Sequence, residues 1–235
     1  MKYLLFDVDN TLLDFDLAEE FALRKVYEKY AIDWNEASID IYKKINQFFW
    51  QQHEQGKITR KELFADRFPL VFQELGKEVS TDGLTIDDEY RQFLSQSHEP
   101  NPGSYEMLDE LKKLDYELYV VTNGAPEVSL PRLQAAKMEN YFKDIFVSEV
   151  IGSQKPQKEF FDYVFDHIPN FHPEEATIIG DTLSSDILGG KNAGISTVWY
   201  NPKLLVAPKE ISPDYQIHHL MEIFDVLGGT FSAKE

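Results

Sequence analysis

The chain has no cysteine, 23 basic residues against 41 acidic ones, and no apolar run approaching the span of a bilayer. The first absence excludes a disulfide scaffold, thiolate zinc sites and cysteine nucleophiles, and it fits a reducing compartment. The shortage of positive charge leaves a formal net charge of −18. Such a surface repels nucleic-acid phosphates and anionic lipid, so polymeric nucleic acid and membranes are poor partners. The third absence argues against a transmembrane helix, which needs about 20 apolar residues. At the amino terminus, Asp7, Asp9 and Asp14 interrupt the run Tyr3-Leu4-Leu5-Phe6 too early for a signal peptide. A cytoplasmic protein is expected. Hydrophobic residues make up 43% of the 235 and charged residues 27%, which excludes a disordered or collagen-like chain.

Two textures divide what is present. Residues 4–8, 118–121, 145–147, 177–179 and 197–199 are short, largely β-branched or aromatic runs, too short for buried helices. Between the later ones lie helix-length amphipathic segments at 105–114, 126–137, 156–167 and 185–192. Alternation of this kind predicts an α/β fold, a doubly wound parallel sheet covered on both faces. Residues 16–96 break the rhythm, because apolar residues recur there at helical spacing: Phe21, Val26 and Tyr30; Ile41, Ile45, Phe48 and Phe49; Leu63, Phe64, Phe68, Val71, Phe72 and Leu75; and Tyr90, Phe93 and Leu94. Thr59 and Glu62 form a capping-box pattern at the third of these helices. The expected organisation is a core of residues 1–15 and 97–235 with an inserted all-helical domain of residues 16–96.

Chemistry gathers where the short runs end. Asp7-Val8-Asp9-Asn10-Thr11 follows the first, and in a doubly wound sheet ligands bind at such ends. Alternation puts Asp7 and Asp9 on one side, so a cation sits there or one acid is protonated; the plain alternative is two aspartates starting a turn. Asp181 follows the 177–179 run. If Ser184 or Ser185 caps the next helix, Asp186 lies in its first turn, where it either complements the helix dipole or turns toward the sheet edge. An all-oxygen set of Asp7, Asp9, Asp181 and Asp186 favours magnesium over zinc. Thr122, Asn123 and Gly124 offer a hydroxyl and backbone amides suited to an anion, or merely a turn. Lys155-Pro156 reads as a helix start, with Lys155 beside a positive terminus that attracts phosphate.

Together these residues resemble the haloacid dehalogenase (HAD) superfamily. Asp7-Val8-Asp9-Asn10-Thr11 is similar to its first motif, Thr122 to the second, Lys155 to the third, and Gly180-Asp181 with Asp186 to the fourth. The likeness runs the length of the chain, since a helical cap between the first two motifs is one of the superfamily's layouts. It implies a HAD-like, Rossmann-type core and a phosphatase in which Asp7 is the nucleophile and Asp9 the general acid and base. It further implies magnesium held by Asp7, Asp181 and the Asp9 carbonyl, supported by Asp186, and phosphate bound by Thr122, the amides near Asn123 and Gly124, and Lys155. Dehalogenases and phosphonate-cleaving members lack an acid at the position of Asp9. Hexose phosphomutases resemble one another in a histidine early in the cap, and here none precedes His53.

The segments Val121-Thr122-Asn123-Gly124, Lys155-Pro156 with Glu159-Phe160-Phe161, and Gly56-Lys57-Ile58-Thr59-Arg60 resemble the pyrimidine 5'-nucleotidase branch. That resemblance implies a nucleoside 5'-monophosphate as substrate and partner; a sugar phosphate or phosphoglycolate, or a non-catalytic phosphate-binding module, are the alternatives. Phe48, Phe49 and Trp50 are candidates to stack on a base, and Arg60 and Arg67 to reach a phosphate or sugar, although helical spacing equally makes them core residues and surface ion pairs.

Overall fold

In the computed structural model, which describes residues 2–228, the short apolar runs become β1 (Tyr3–Phe6), β2 (Glu117–Thr122), β3 (Asp144–Val147), β4 (Ala176–Gly180) and β5 (Ser196–Tyr200), joined by β6 (Tyr215–Ile217). They form a six-stranded sheet in the order β3-β2-β1-β4-β5-β6. Every pairing is parallel. Helices are α1 (Phe15–Lys29), α2 (Glu36–Glu54), α3 (Arg60–Glu74), α4 (Gly83–Leu94), α5 (Ser104–Lys113), α6 (Pro126–Ala135), α7 (Ser148–Ile151), α8 (Lys158–His167), α9 (Leu188–Ala193) and α10 (Ile223–Val226). Among the described residues no helix is long and apolar enough to cross a membrane.

The side-chain period of two explains why the sheet is buried on both faces. Leu4 and Phe6 join Leu118, Val120 and Ile179 in a cluster with Met107, Leu108 and Leu111 of α5 and Leu133 of α6. Tyr3 and Leu5 join Tyr119, Val121 and Ile178 in another with Phe160, Phe161 and Val164 of α8. A strand covered on both sides has no polar alternation to show, which is why these runs are continuous. β6 lay outside the sequence expectations because it is three residues long and only Ile217 is buried. Edge position, rather than hydrophobicity, makes it a strand: it pairs with β5, and Asn201 N–H donates to the Ile217 carbonyl at 2.8 Å.

The chain divides into two compact units, one built from the segment up to Asp16 and that from His98 onward, the other Leu17–Ser97. In the helical unit, α3 starts at the capping box: Thr59 Oγ1 accepts from Glu62 N at 3.2 Å and Glu62 Oε2 accepts from Thr59 N at 2.7 Å. Leu63, Phe64, Phe68, Val71 and Phe72 are its buried face. The buried face of α1 is Ala18, Ala22, Leu23, Val26 and Tyr27, so Phe21 faces outward at 36% exposure.

Arg67 is no phosphate ligand in waiting. It is buried inside the helical unit, with Nε 2.7 Å from Asp87 Oδ1, Nη1 2.8 Å from Asn46 Oδ1, and its guanidinium 4.8 Å from the Tyr90 ring. Arg91 Nε reaches the other Asp87 oxygen at 2.8 Å. Phe49 packs with Leu63 and Phe64, and Arg60 lies 5.8 Å over the Trp50 ring. Removing one partner of a fully buried pair strands the other charge, which costs about 3–5 kcal/mol. Asp87→Ala is therefore expected to lower the urea midpoint of the helical unit by an amount equivalent to about 3–5 kcal/mol, read by circular dichroism; a change under about 1 kcal/mol would mean water solvates Arg67 after all.

Candidate active site

The strand order places a switch point beside β1, where the chain leaves to β2 on one side and returns through β4 on the other. Loops part there, and a crevice opens at the carboxyl ends of the strands. Asp7 is the first residue past β1 and Asp181 the first past β4, and the Asp7 N–H donates to the Ile179 carbonyl at 2.9 Å. Carboxylate oxygens of Asp7, Asp181 and Asp186 all lie within 4.8 Å of one another.

Three acids so close would drive one another apart, and Lys155 offsets two of them, Asp7 and Asp186. Its Nζ is 2.7 Å from Asp7 Oδ1, 2.6 Å from Asp186 Oδ1 and 2.7 Å from the Val121 carbonyl, at 1% exposure. An ammonium has three donors, and all are used. Lys155 thus braces the acid cluster in this structure rather than standing free for an anion. Burial works against its charge, but Asp186 and Asp7 outweigh that and raise its proton affinity. Burial also pushes Asp7 well above the ordinary carboxylate range; Lys155 opposes the shift, while Asp186, Asp181 and Asp9 add to it. Asp181 is pushed up to about 7, by burial first and Asp186 second.

Asp186 reaches the cluster by a different route from the expected serine cap. Residues Leu183–Ile187 form a π-helical turn with no side-chain cap, in which Asp186 Oδ2 accepts from Thr182 N at 3.0 Å. The wider turn brings the carboxylate back over the end of β4 to meet Lys155. It fits only because residue 180 is glycine: a β-carbon there would sit 2.3 Å from the Asp186 carboxyl carbon.

The 122–124 segment is equally close. Thr122 Oγ1 accepts from Gly124 N at 2.9 Å, which leaves its hydroxyl hydrogen to donate. Asn123 turns its amide to the 155 turn, donating to the Lys155 carbonyl at 2.9 Å and accepting from Lys155 N at 3.0 Å. Gly124 lies outside the left-handed region, yet a β-carbon there would stand 2.2 Å from Ser129 Oγ, 3.1 Å from Asp9 Oδ2 and 3.2 Å from Thr122 Oγ1. Close approach, not backbone freedom, requires glycine. The amino terminus of α6, opened by Pro126, follows at once and suits an anion. A helix does not start at Pro156, as the sequence suggested. α8 begins at Lys158 after Gln157, and Lys155 is held in the preceding turn by Asn123.

Sequence reasoning missed Arg132. Its guanidinium is buried and pairs with Asp9 Oδ1. Four acids, Asp7, Asp9, Asp181 and Asp186, thus face two cations, Lys155 and Arg132. The all-oxygen donor set suits one hard divalent cation such as magnesium, which the converging Asp7, Asp181 and Asp186 would hold.

A family model for haloacid dehalogenase-like hydrolases matches residues 4–200. The protein is 43% identical to YfnB of Bacillus subtilis, a HAD-hydrolase by name, over 96% of this chain and 95% of that one. It is 37% identical to the pyrimidine 5'-nucleotidase PynA of Streptococcus pneumoniae, over 99% of this chain and 98% of that one. With the pyrimidine 5'-nucleotidase YjjG of Escherichia coli it shares 28%, over 96% and 97%. The crystal structure of YfnB bound to magnesium matches with a TM-score of 0.91 at 42% identity, covering 96% of this chain and 98% of that one. The chain belongs to the haloacid dehalogenase-like hydrolases. Within that family it is an enzyme of the phosphatase type.

Because Asp181 binds its proton more tightly folded than unfolded, its contribution to stability is complete below about pH 4 and is lost as the pH rises to about 7. The melting temperature of metal-free wild type is expected to drop more steeply over that interval than that of Asp181→Asn, and added magnesium to raise the wild-type value more above about pH 7 than below it. Parallel profiles for the two proteins would show that Asp181 is not crowded. Gly124→Ala is expected to keep the fold by circular dichroism and to lower turnover of an aryl phosphate by about 10²-fold, since a displacement of about 1 Å is that costly; wild-type turnover would show that the 122–124 segment yields without moving Asp9.

Proposed function

We propose that this protein is a magnesium-dependent phosphomonoesterase that works through an aspartyl-phosphate and acts on pyrimidine nucleoside 5'-monophosphates. The chemistry is supported by one observation above the others: the carboxylates of Asp7, Asp181 and Asp186 converge at a topological switch point. In this reading an Asp7 carboxylate oxygen attacks phosphorus while the ester P–O bond breaks, and Asp9 supplies the proton that the departing alkoxide takes up. Asp9, now a carboxylate, removes a proton from water as that water attacks the phosphorus of the acyl phosphate. The P–O bond to Asp7 then breaks, releasing inorganic phosphate and restoring both acids. Thr122 and the backbone amides on either side of Gly124, whose own N–H goes to Thr122, bind the peripheral oxygens of the phosphoryl group. Lys155 keeps Asp7 aimed and offsets its charge as phosphate enters. Asp7, Asp181, Asp186 and the Asp9 carbonyl would hold magnesium, which when bound screens the repulsion between nucleophile and phosphate.

Substrate choice is supported by likeness along the whole chain. A core that sees only phosphate and metal cannot select a nucleoside, so selection belongs to the helical unit. The matches to the two pyrimidine 5'-nucleotidases cover 99% and 96% of this chain and therefore include that unit. A panel of nucleoside monophosphates and sugar phosphates, assayed by phosphate release with magnesium and with chelator, is expected to show the highest kcat/KM for a pyrimidine nucleotide and loss of activity on chelation. A sugar phosphate at the top of the panel would overturn the nucleotidase reading, and equal rates with chelator the metal requirement. Asp7→Asn is expected to abolish turnover while leaving the melting temperature at or above the wild-type value.

A further inference from the structure

We infer that Arg132 is the positioning residue for Asp9, fixing one carboxylate oxygen so that the other, Oδ2, faces the phosphate loop and exchanges the proton. The inference rests on the acid–base role proposed for Asp9. Arg132 comes from α6, 123 residues away in the chain, and its side chain is 0% exposed. One nitrogen pairs with Asp9 Oδ1 and the other donates to the Asp14 carbonyl at 3.3 Å, with the guanidinium 5.4 Å from the Phe15 ring. One rigid fork therefore ties the start of the 9–14 loop to its end. Asn10 Oδ1 tightens the same loop by accepting from Phe15 N at 2.9 Å. Asp9 Oδ2 is left on the side of Gly124, where a β-carbon would come within 3.1 Å of it, and the side chain as a whole keeps 24% exposure.

Geometry gives the buried arginine its purpose. An apolar residue of similar volume would pack this space without the desolvation that a guanidinium suffers, so an arginine here is explained by what it holds. Both proton transfers assigned to Asp9 depend steeply on distance, and a planar fork fixes direction as well as distance.

The test measures kcat and KM for thymidine 5'-monophosphate and p-nitrophenyl phosphate in wild type, Arg132→Met, Arg132→Lys, Asp9→Asn and the double variants, with magnesium. For the nucleotide, Arg132→Met is expected to lower kcat about 10²-fold with KM changed less than about three-fold, and Arg132→Lys to recover part of the loss. For the aryl ester, whose leaving group departs without a proton, Arg132→Met should release a rapid burst of nitrophenolate and then turn over slowly, because attack by Asp7 survives and only hydrolysis of the acyl phosphate is slowed. In the Asp9→Asn background, Arg132→Met should change the residual kcat by less than about two-fold, since the residue it acts through is already gone. Losses that multiply in the double variant, or a burst that falls in step with the steady state, would overturn the inference while leaving the role of Asp9 intact. Wild-type turnover by Asp9→Asn would instead sink the acid–base role itself. Should Arg132→Met fail to fold by circular dichroism, the same cycle with Arg132→Lys decides: a loss in the wild-type background that is absent in Asp9→Asn supports the inference, and one present in both refutes it.

Discussion

Mutual repulsion among carboxylates is the constraint around which this site is built. Asp7, Asp181 and Asp186 meet at one end of the sheet, where burial denies them the water that would screen them. What keeps them there is the stiffness of three adjacent strands and a single ammonium that gives every donor it has to Asp7, Asp186 and the Val121 carbonyl. The glycine at 180 makes the approach of Asp186 possible by lacking one carbon. Among the described residues Lys155 pairs with Asp7 and Asp186 and Arg132 with Asp9, so the cluster favours protons or a divalent cation.

The two units answer different questions. The sheet presents charged groups with little freedom, and on the proposed reading those groups recognise phosphate and nothing beyond it. The helical unit is held by its own buried polar network, Arg67 with Asp87 and Asn46, and Tyr42 O–H donating to Tyr90 at 2.7 Å. Its conspicuous arginine and much of its aromatic content are thus occupied internally. On the proposed reading selectivity falls to residues that remain accessible there, such as Phe48 at 51% exposure, rather than to Arg67.

Much of the core was legible because buried parallel strands write themselves as unbroken apolar runs, and the chemistry sits one residue past their ends. Asp7 and Asp181 could be located that way, and Thr122 as the last residue of β2. The failures have physical causes. β6 is a short polar edge strand with no run to find. Pro156 suggested a helix start, but Asn123, 32 residues earlier, holds Lys155 in a turn that no local pattern announces. Ser184 and Ser185 suggested a cap, yet the Asp186 and Ile187 N–H groups donate to the Thr182 carbonyl, and the Asp186 carboxylate accepts from Thr182 N in return. Arg132 looks like any arginine on an amphipathic helix. Only the pairing of α6 with the 9–14 loop shows that it points inward, and spacing alone carries no such information.

Two aspartates two residues apart receive different cations, which on the proposed reading separates their tasks. Asp7 shares Lys155 with Asp186 and stands among the other acids, the setting in which a carboxylate stays close to a metal and a phosphorus atom. Asp9 lies past the end of β1, in a loop turned by Asn10 at φ 59°, and pairs with Arg132 alone among the cations described for it. A single shared lysine would have drawn both carboxylates to one point, leaving no acid displaced toward the leaving group. Lys155 engages Asp7 while Arg132 engages Asp9, so the two carboxylates are held by separate cations. On the proposed reading the gap between the carboxylates is where a phosphoryl group would have both its nucleophile and its proton donor within reach, and that spatial division, rather than the mere presence of two acids, would suit the pair to phosphate esters.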